Sequence, residues 1–191
     1  MKDEHKEIEV RFLEIDKEAL IKKLQELGAE DRGENKLQEF LVERSDVDNT
    51  KLTEFIRLRK NGDKTEMTYK KMQPLGSDLK KMFGGLDITI HIDDFDKAKL
   101  ILENIGLVLR RQQEKYRHTF VLDNVTFDID TWPQVPTYVE IEGDDEEDLK
   151  KAAEKVGLDW KDVNYNSAGD IVRGYGIALD SVKTFTFDKV E

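Results

Sequence analysis

The chain contains no cysteine, which excludes disulfides, thiolate metal sites and a cysteine nucleophile. Proline occurs only three times, and no Pro- or Ser-rich linker divides the sequence. No run of about 18 apolar residues suggests a membrane span. The opening MKDEHKEIEV lacks the apolar stretch of a signal peptide, so the expectation is a cytoplasmic protein without a membrane partner. Positive charge is in deficit, with 31 Lys and Arg against 42 Asp and Glu, a formal net charge of -11. Non-specific affinity for nucleic acid comes from an excess of cations, so a general nucleic-acid binder is excluded. The three histidines, His5, His91 and His118, do not fall at ligand spacing and read as structural or surface residues, His5 being the exception in sharing strand parity with Glu7 and Glu9.

What is present can build a core. Hydrophobic residues make up 38% of the 191 positions, and two Trp, nine Phe and five Tyr spread along the chain argue against disorder. One arrangement occurs three times: a strand, an acidic N-cap region, about three turns of amphipathic helix, and a glycine. EIEVRFLEID precedes KEALIKKLQELG, LDITIHIDD precedes FDKAKLILENIG, and PTYVEIEGDD precedes EEDLKKAAEKVG. Between these units KLQEFLVER, TEFIRLRK, KTEMTYKK, VLRRQQEKYRHTFVLD and VTFDID read as further strands, with a hairpin turn at Asn61-Gly62. The tail from Lys161 reads as a short helix with irregular flanks. The expected class is α+β with a mostly antiparallel sheet, in a single domain over 1–191 that carries a loose internal duplication.

Successive strand side chains point to opposite faces, and the charges sort accordingly. Glu7, Glu9 and Arg11 alternate with Ile8, Val10 and Phe12. Arg57 and Arg59 oppose Ile56 and Leu58; Glu66, Thr68 and Lys70 oppose Met67 and Tyr69. Arg111, Gln113, Lys115 and Arg117 share a parity, Asp128 and Asp130 oppose Phe127 and Ile129, and Glu140 and Glu142 oppose Val139 and Ile141. Helices can cover the apolar faces. The charged face is then either solvated surface on an open sheet or the lining of a barrel. Carboxylates are hard oxygen ligands suited to Mg²⁺ or Mn²⁺, whereas Arg and Lys suit phosphate oxygens. Both sets on one surface point to a polyphosphate with a divalent metal.

HKEIEVR resembles the N-terminal HxExExK signature of the CYTH superfamily, the triphosphate tunnel metalloenzymes. FIRLRK and MTYK resemble the family's basic strands, EKYR a later one, and IDTWPQVPTYVEIEG its acidic C-terminal strands. The resemblance implies an eight-stranded antiparallel closed β-barrel, or tunnel, with amphipathic helices packed outside. It implies Mg²⁺ or Mn²⁺ held by Glu7, Glu9, Asp130, Glu140 and Glu142, with Asp128 a further candidate. Phosphate falls to Arg11, Arg57, Arg59, Lys70, Lys115 and Arg117, and the catalytic set is Glu7, Glu9 and Arg11. One position departs: the family motif ends in Lys and this chain has Arg11, which keeps the charge but cannot release a proton near neutral pH.

The implied activity is metal-dependent hydrolysis of a small triphosphate: inorganic tripolyphosphate, or a nucleoside or thiamine triphosphate. A class IV adenylate cyclase forming cyclic AMP and pyrophosphate from ATP is the alternative enzyme. A module that binds polyphosphate or nucleotide without turnover is the alternative from another class. Monomer and homodimer are both compatible with the sequence.

Overall fold

The computed structural model describes residues 8–46, 54–73 and 84–191. Its strands are β1 (Ile8–Phe12), β2 (Glu30–Arg44), β3 (Glu54–Asn61), β4 (Lys64–Gln73), β5 (Gly84–Ile92), β6 (Leu107–Leu122), β7 (Val125–Trp132), β8 (Val135–Gly143) and β9 (Thr184–Phe185). The helices are α1 (Lys17–Glu26), α2 (Phe95–Asn104), α3 (Glu146–Lys155) and α4 (Ala168–Gly174), with a 3₁₀ turn at Trp160–Asp162. The fold is α+β. Backbone pairing runs β1-β8-β7-β6-β2-β3-β4-β5, and β9 adds to β6 in parallel as the one exception to antiparallel pairing among the registers described.

Three expectations change. The sheet has nine strands, because the tail adds the two-residue β9 to the eight that alternation identifies. Among the described residues no backbone pairing joins the first and last strands of that order, so hydrogen bonds do not close the sheet into a barrel. The hairpin between β3 and β4 is also displaced by one residue. Asn61 pairs with Lys64, which leaves Gly62-Asp63 as the loop, with Gly62 at φ 58. The loop between β6 and β7 carries the chemistry expected at Asn61-Gly62: Asp123 and Asn124 both sit in the left-handed region, at φ 50 and 64, which suits the right-handed twist of the strands they join.

The repeated helical unit forms as its residues dictate. The carboxylates of Asp16, Asp94 and Asp145 accept from the first-turn amides of Ala19, Lys97 and Glu147, satisfying donors that have no partner inside the helix. Gly28, Gly106 and Gly157 follow the helix ends at φ 76, 89 and 85, a conformation that costs other L-residues about 1 kcal/mol. Asp145 also accepts from Asp148 N at 3.3 Å. Asp145→Ala should lower the unfolding free energy in urea by about 1 kcal/mol without changing turnover.

The chain divides into two compact units. The first holds described residues 8–34 and 116–175. In it Val10, Phe12, Phe120, Phe127, Ile129, Val139 and Ile141 turn from the sheet toward Leu20 and Leu24 of α1 and Leu149, Ala152 and Ala153 of α3. Each fully buried aromatic or branched side chain contributes roughly 1.5–3 kcal/mol of apolar transfer, so these two helices fix which strand face is inside the core and which carries charge. The second unit holds residues 35–46, 54–73, 84–115 and 176–191. Its core packs Phe40, Val42 and Leu58 with Leu102 of α2, and Ile56 and Met67 against them.

Candidate functional site

With the apolar parity committed to the core, strand register decides which charges become neighbours. In the first unit β1 pairs with β8 so that Glu9 lies opposite Glu142 and Arg11 opposite Glu140. β8 pairs with β7 so that Glu140 lies opposite Asp128, and β7 pairs with β6 so that Asp130 lies opposite Arg117. Cross-strand neighbours sit within about 5.5 Å at Cβ, so four strands collect these side chains on one patch.

Two arginines hold the patch together. Arg11 is 4% exposed and donates from Nε to Glu140 Oε2 at 2.8 Å, from NH2 to Glu9 Oε1 at 2.7 Å, and from NH1 to the Asn166 carbonyl at 2.8 Å. Arg117 donates to both carboxylate oxygens of Asp130, at 2.6 and 2.7 Å, to Glu140 Oε1 at 3.2 Å, and to Asp128. Thr119 Oγ1 completes Asp128 at 2.5 Å. Burial alone would lower the pKa of each arginine. Glu140 and Glu9 raise that of Arg11 instead, and Asp130, Glu140 and Asp128 raise that of Arg117. Burial wins at Asp128, whose carboxyl is raised above its ordinary range despite Arg117 and the Thr119 hydroxyl. Beside them the Tyr138 hydroxyl accepts from Trp132 Nε1 at 2.9 Å. Burial, then Asp130 and Glu140, raises its pKa, which keeps the phenol neutral.

Asp128, Glu140 and Glu142 each bring a carboxylate oxygen within 4.8 Å of the others. Hard oxygen donors from three side chains, two of them buried, suit a small divalent cation far better than a soft metal.

Three of the basic residues lie in the second unit around a buried carboxylate. Glu39 on β2 is 5% exposed; it meets Arg59 across the β2–β3 pairing and accepts from Arg59 Nε at 2.7 Å, with Arg57 NH1 at 3.9 Å. Gln113 Nε2 donates to its other oxygen at 2.5 Å. Lys115 is 4% exposed and adds its charge to the same carboxylate. Lys70 on β4 pairs with Asp87 on β5.

The match to known proteins decides the family. The CYTH domain model matches residues 5–175. The chain belongs to the CYTH family. No match was found among curated protein sequences. Solved structures share the fold. PH1012 from Pyrococcus horikoshii is 21% identical with a TM-score of 0.68, covering 86% of this chain and 98% of its own. A candidate adenylate cyclase from Vibrio parahaemolyticus is 18% identical with a TM-score of 0.70, covering 87% and 97%. A candidate adenylyl cyclase from Hippeastrum with a dominant triphosphatase activity is 12% identical with a TM-score of 0.61, covering 88% and 94%. CYTH membership implies a small triphosphate-related substrate and, in general, a metal. The carboxylate cluster of this CYTH chain fits a divalent cation by the chemistry of its donors.

Against the expected site residues, the structure brings Glu9, Arg11, Arg117, Asp130, Glu140 and Glu142 into one patch of the first unit and Arg57, Arg59, Lys70 and Lys115 into the second unit. Glu7 and His5 lie outside the described residues. Arg11 and Arg117 are engaged with carboxylates here, so most of the donors of each guanidinium are already committed. His118 bonds Asp31 at 2.7 Å, consistent with a structural role.

Glu39 escaped sequence reasoning, although a signal existed. It is the one acid between Leu37 and Leu41, which share its parity and are both buried. Burial alone would raise its carboxyl pKa, but Arg59, Arg57 and Lys115 hold it below the ordinary 4.5. A lowered carboxylate pKa gives stability that is complete above the unfolded value and is lost as pH falls through the folded one. Acid titration of the unfolding free energy should show a loss setting in below pH 4.5 that Glu39→Gln lacks.

Proposed function

We propose that the protein is a metal-dependent phosphohydrolase that removes the terminal phosphate from a triphosphate, with inorganic tripolyphosphate the simplest substrate. In this proposal residues 1–191 form a single tunnel domain. The observation that carries it is the oxygen-donor cluster of Asp128, Glu140 and Glu142 in a chain whose basic strands keep Arg57, Arg59, Lys70 and Lys115.

Mg²⁺ or Mn²⁺ would be held by Glu140 and Glu142 with Glu7, Glu9, Asp130 and Asp128. When bound, the cation supplies charge neutralisation at phosphoryl oxygens. Arg57 and Arg59 offer planar forks for non-bridging oxygens, and Lys70 and Lys115 offer compact charges. These cations would meet the negative charge that develops on the leaving pyrophosphate. Water attacks the terminal phosphorus, the bridging P–O bond breaks, and orthophosphate and pyrophosphate leave. Arg11 keeps its proton throughout. Its contribution is to orient the Glu9 and Glu140 carboxylates through the bonds it makes to them.

Incubation with Mg²⁺ or Mn²⁺ and a panel of tripolyphosphate, thiamine triphosphate and ATP tests the proposal. Metal-dependent release of orthophosphate is the expected result. Cyclic AMP with pyrophosphate identifies a cyclase instead, and binding without product identifies a non-catalytic module.

A further inference from the structure

The family model ends at residue 175, yet the chain continues for sixteen residues that are well anchored in the second unit. Thr184 and Phe185 pair in parallel with Gln112 and Gln113, and Phe185 is fully buried. Lys183 Nζ donates to the Leu109 carbonyl at 3.0 Å, Asp180 meets Arg110 at 3.1 Å, and Phe187 N donates to Glu114 Oε1 at 2.8 Å. The segment is tied at five successive positions of β6, from Leu109 to Gln113, and at Glu114.

One of those ties leads to the basic residues. Arg111 NH1 donates to the Leu179 carbonyl at 2.8 Å, and Arg111 Nε donates to Gln113 Oε1 at 2.7 Å. Gln113 Nε2 donates to Glu39 Oε2 at 2.5 Å, and Glu39 Oε1 accepts from Arg59 Nε at 2.7 Å and NH2 at 2.6 Å. The polarity of this series is forced. Arginine has no acceptor and an ionised carboxylate has no donor, so the Gln113 amide can satisfy both neighbours in only one orientation. Arg111, Gln113 and Glu39 are 4%, 9% and 5% exposed, so water cannot substitute for a lost partner, and each member holds the next. At the end, Glu39 fixes the Nε–NH2 edge of Arg59, and NH1 lies outside those two bonds.

We propose that residues 176–191 brace the phosphate-binding side: the Leu179 carbonyl seats Arg111, and Arg111, Gln113 and Glu39 orient Arg59 toward a phosphate oxygen. Arg111, Gln113 and Glu39 are positioning residues, and the brace rests on the reading of Arg59 as a phosphate ligand. Arg111 shares the parity of the phosphate-binding cations, and it donates to the tail at Leu179 and to the relay at Gln113.

The test is binding of inorganic tripolyphosphate to the full-length protein by titration calorimetry, with thermal unfolding of each variant as the folding check. Arg59→Ala should weaken binding about tenfold or more, as expected for loss of a charged hydrogen bond. Gln113→Leu, close in size but unable to bridge, should weaken it about fivefold. In the double variant Gln113→Leu should add nothing, because its effect passes through Arg59. If Gln113→Leu does not fold, Arg111→Lys keeps the charge, loses the fork that serves both acceptors, and is held to the same non-additivity. Wild-type affinity in the relay variant, or a loss that persists undiminished without Arg59, overturns the brace while leaving Arg59 as a ligand. Wild-type affinity in Arg59→Ala contradicts the phosphate reading itself, and the brace with it.

Discussion

Glu140→Ala is expected to lower the unfolding free energy by about 3 kcal/mol or more and to reduce tripolyphosphate turnover by at least about a hundredfold. Glu140 is 7% exposed and is the only carboxylate described as accepting from both Arg11 and Arg117. A buried ion pair adds little net stability when intact, since desolvation offsets much of the attraction. Removing one partner is different, because the buried charge that remains is left less fully compensated. Here two guanidiniums lose a partner at once. For a chain of this size about 3 kcal/mol corresponds to roughly a 6–12 °C fall in Tm. Glu140→Gln keeps the shape, retains one acceptor and should fall between wild type and Glu140→Ala in stability, yet match Glu140→Ala in lost turnover. Wild-type Tm and rate in both variants would mean that Glu140 neither joins the arginines nor serves the reaction.

Arg117→Met should be as damaging at neutral pH, by about 3 kcal/mol or more, for the mirrored reason. It leaves Asp128, Asp130 and Glu140 buried together without the cation that bonds all three. Two treatments should stabilise the variant more than they stabilise wild type. Clustered carboxylates deprived of their cation have raised pKa values, so the folded variant binds more protons than the unfolded chain and its stability rises as pH is lowered from 7 toward 5. Millimolar Mn²⁺ or Mg²⁺ should also raise its Tm by several degrees, by binding the folded state alone. Thermal unfolding at both pH values, with and without metal, checks this. A variant equally unstable under every condition would show that Arg117 acts through packing and not charge.

Alternation alone made the faces legible. Once Val10, Phe127 and Ile141 are assigned to a core, the parity of Glu9, Asp128 and Glu142 follows, and so do the three capped helices that cover that core. Register was not legible, because a pattern of period two fits any even shift of one strand against the next. Nothing in VTFDID or TYVEIEG says that Asp128 rather than Asp130 lies opposite Glu140, and that choice makes Asp128, Glu140 and Glu142 the cluster. For the same reason Arg11 looked available to phosphate in the sequence, whereas its register against β8 sets its guanidinium beside Glu140, with Glu9 of its own strand as a second partner. Glu39 and the tail were hidden for a second reason. Their importance lies in contacts between distant segments, Arg111 with Leu179 and Gln113 with Glu39, and local pattern carries no information about such pairs. The hairpin slip at Asn61 is smaller and turns on which residue of a permissive pair the strand ladder claims first.

Mn²⁺ binding followed by electron paramagnetic resonance tests the central claim most directly, since free Mn²⁺ gives a signal that bound Mn²⁺ does not. Wild type should take up at least one Mn²⁺ per chain without substrate, and Glu142→Gln, which changes none of the ion pairs described above for Arg11 and Arg117, should weaken that uptake about tenfold or more. No uptake at millimolar Mn²⁺, or uptake unchanged by Glu142→Gln, would contradict the assignment of these carboxylates to a metal.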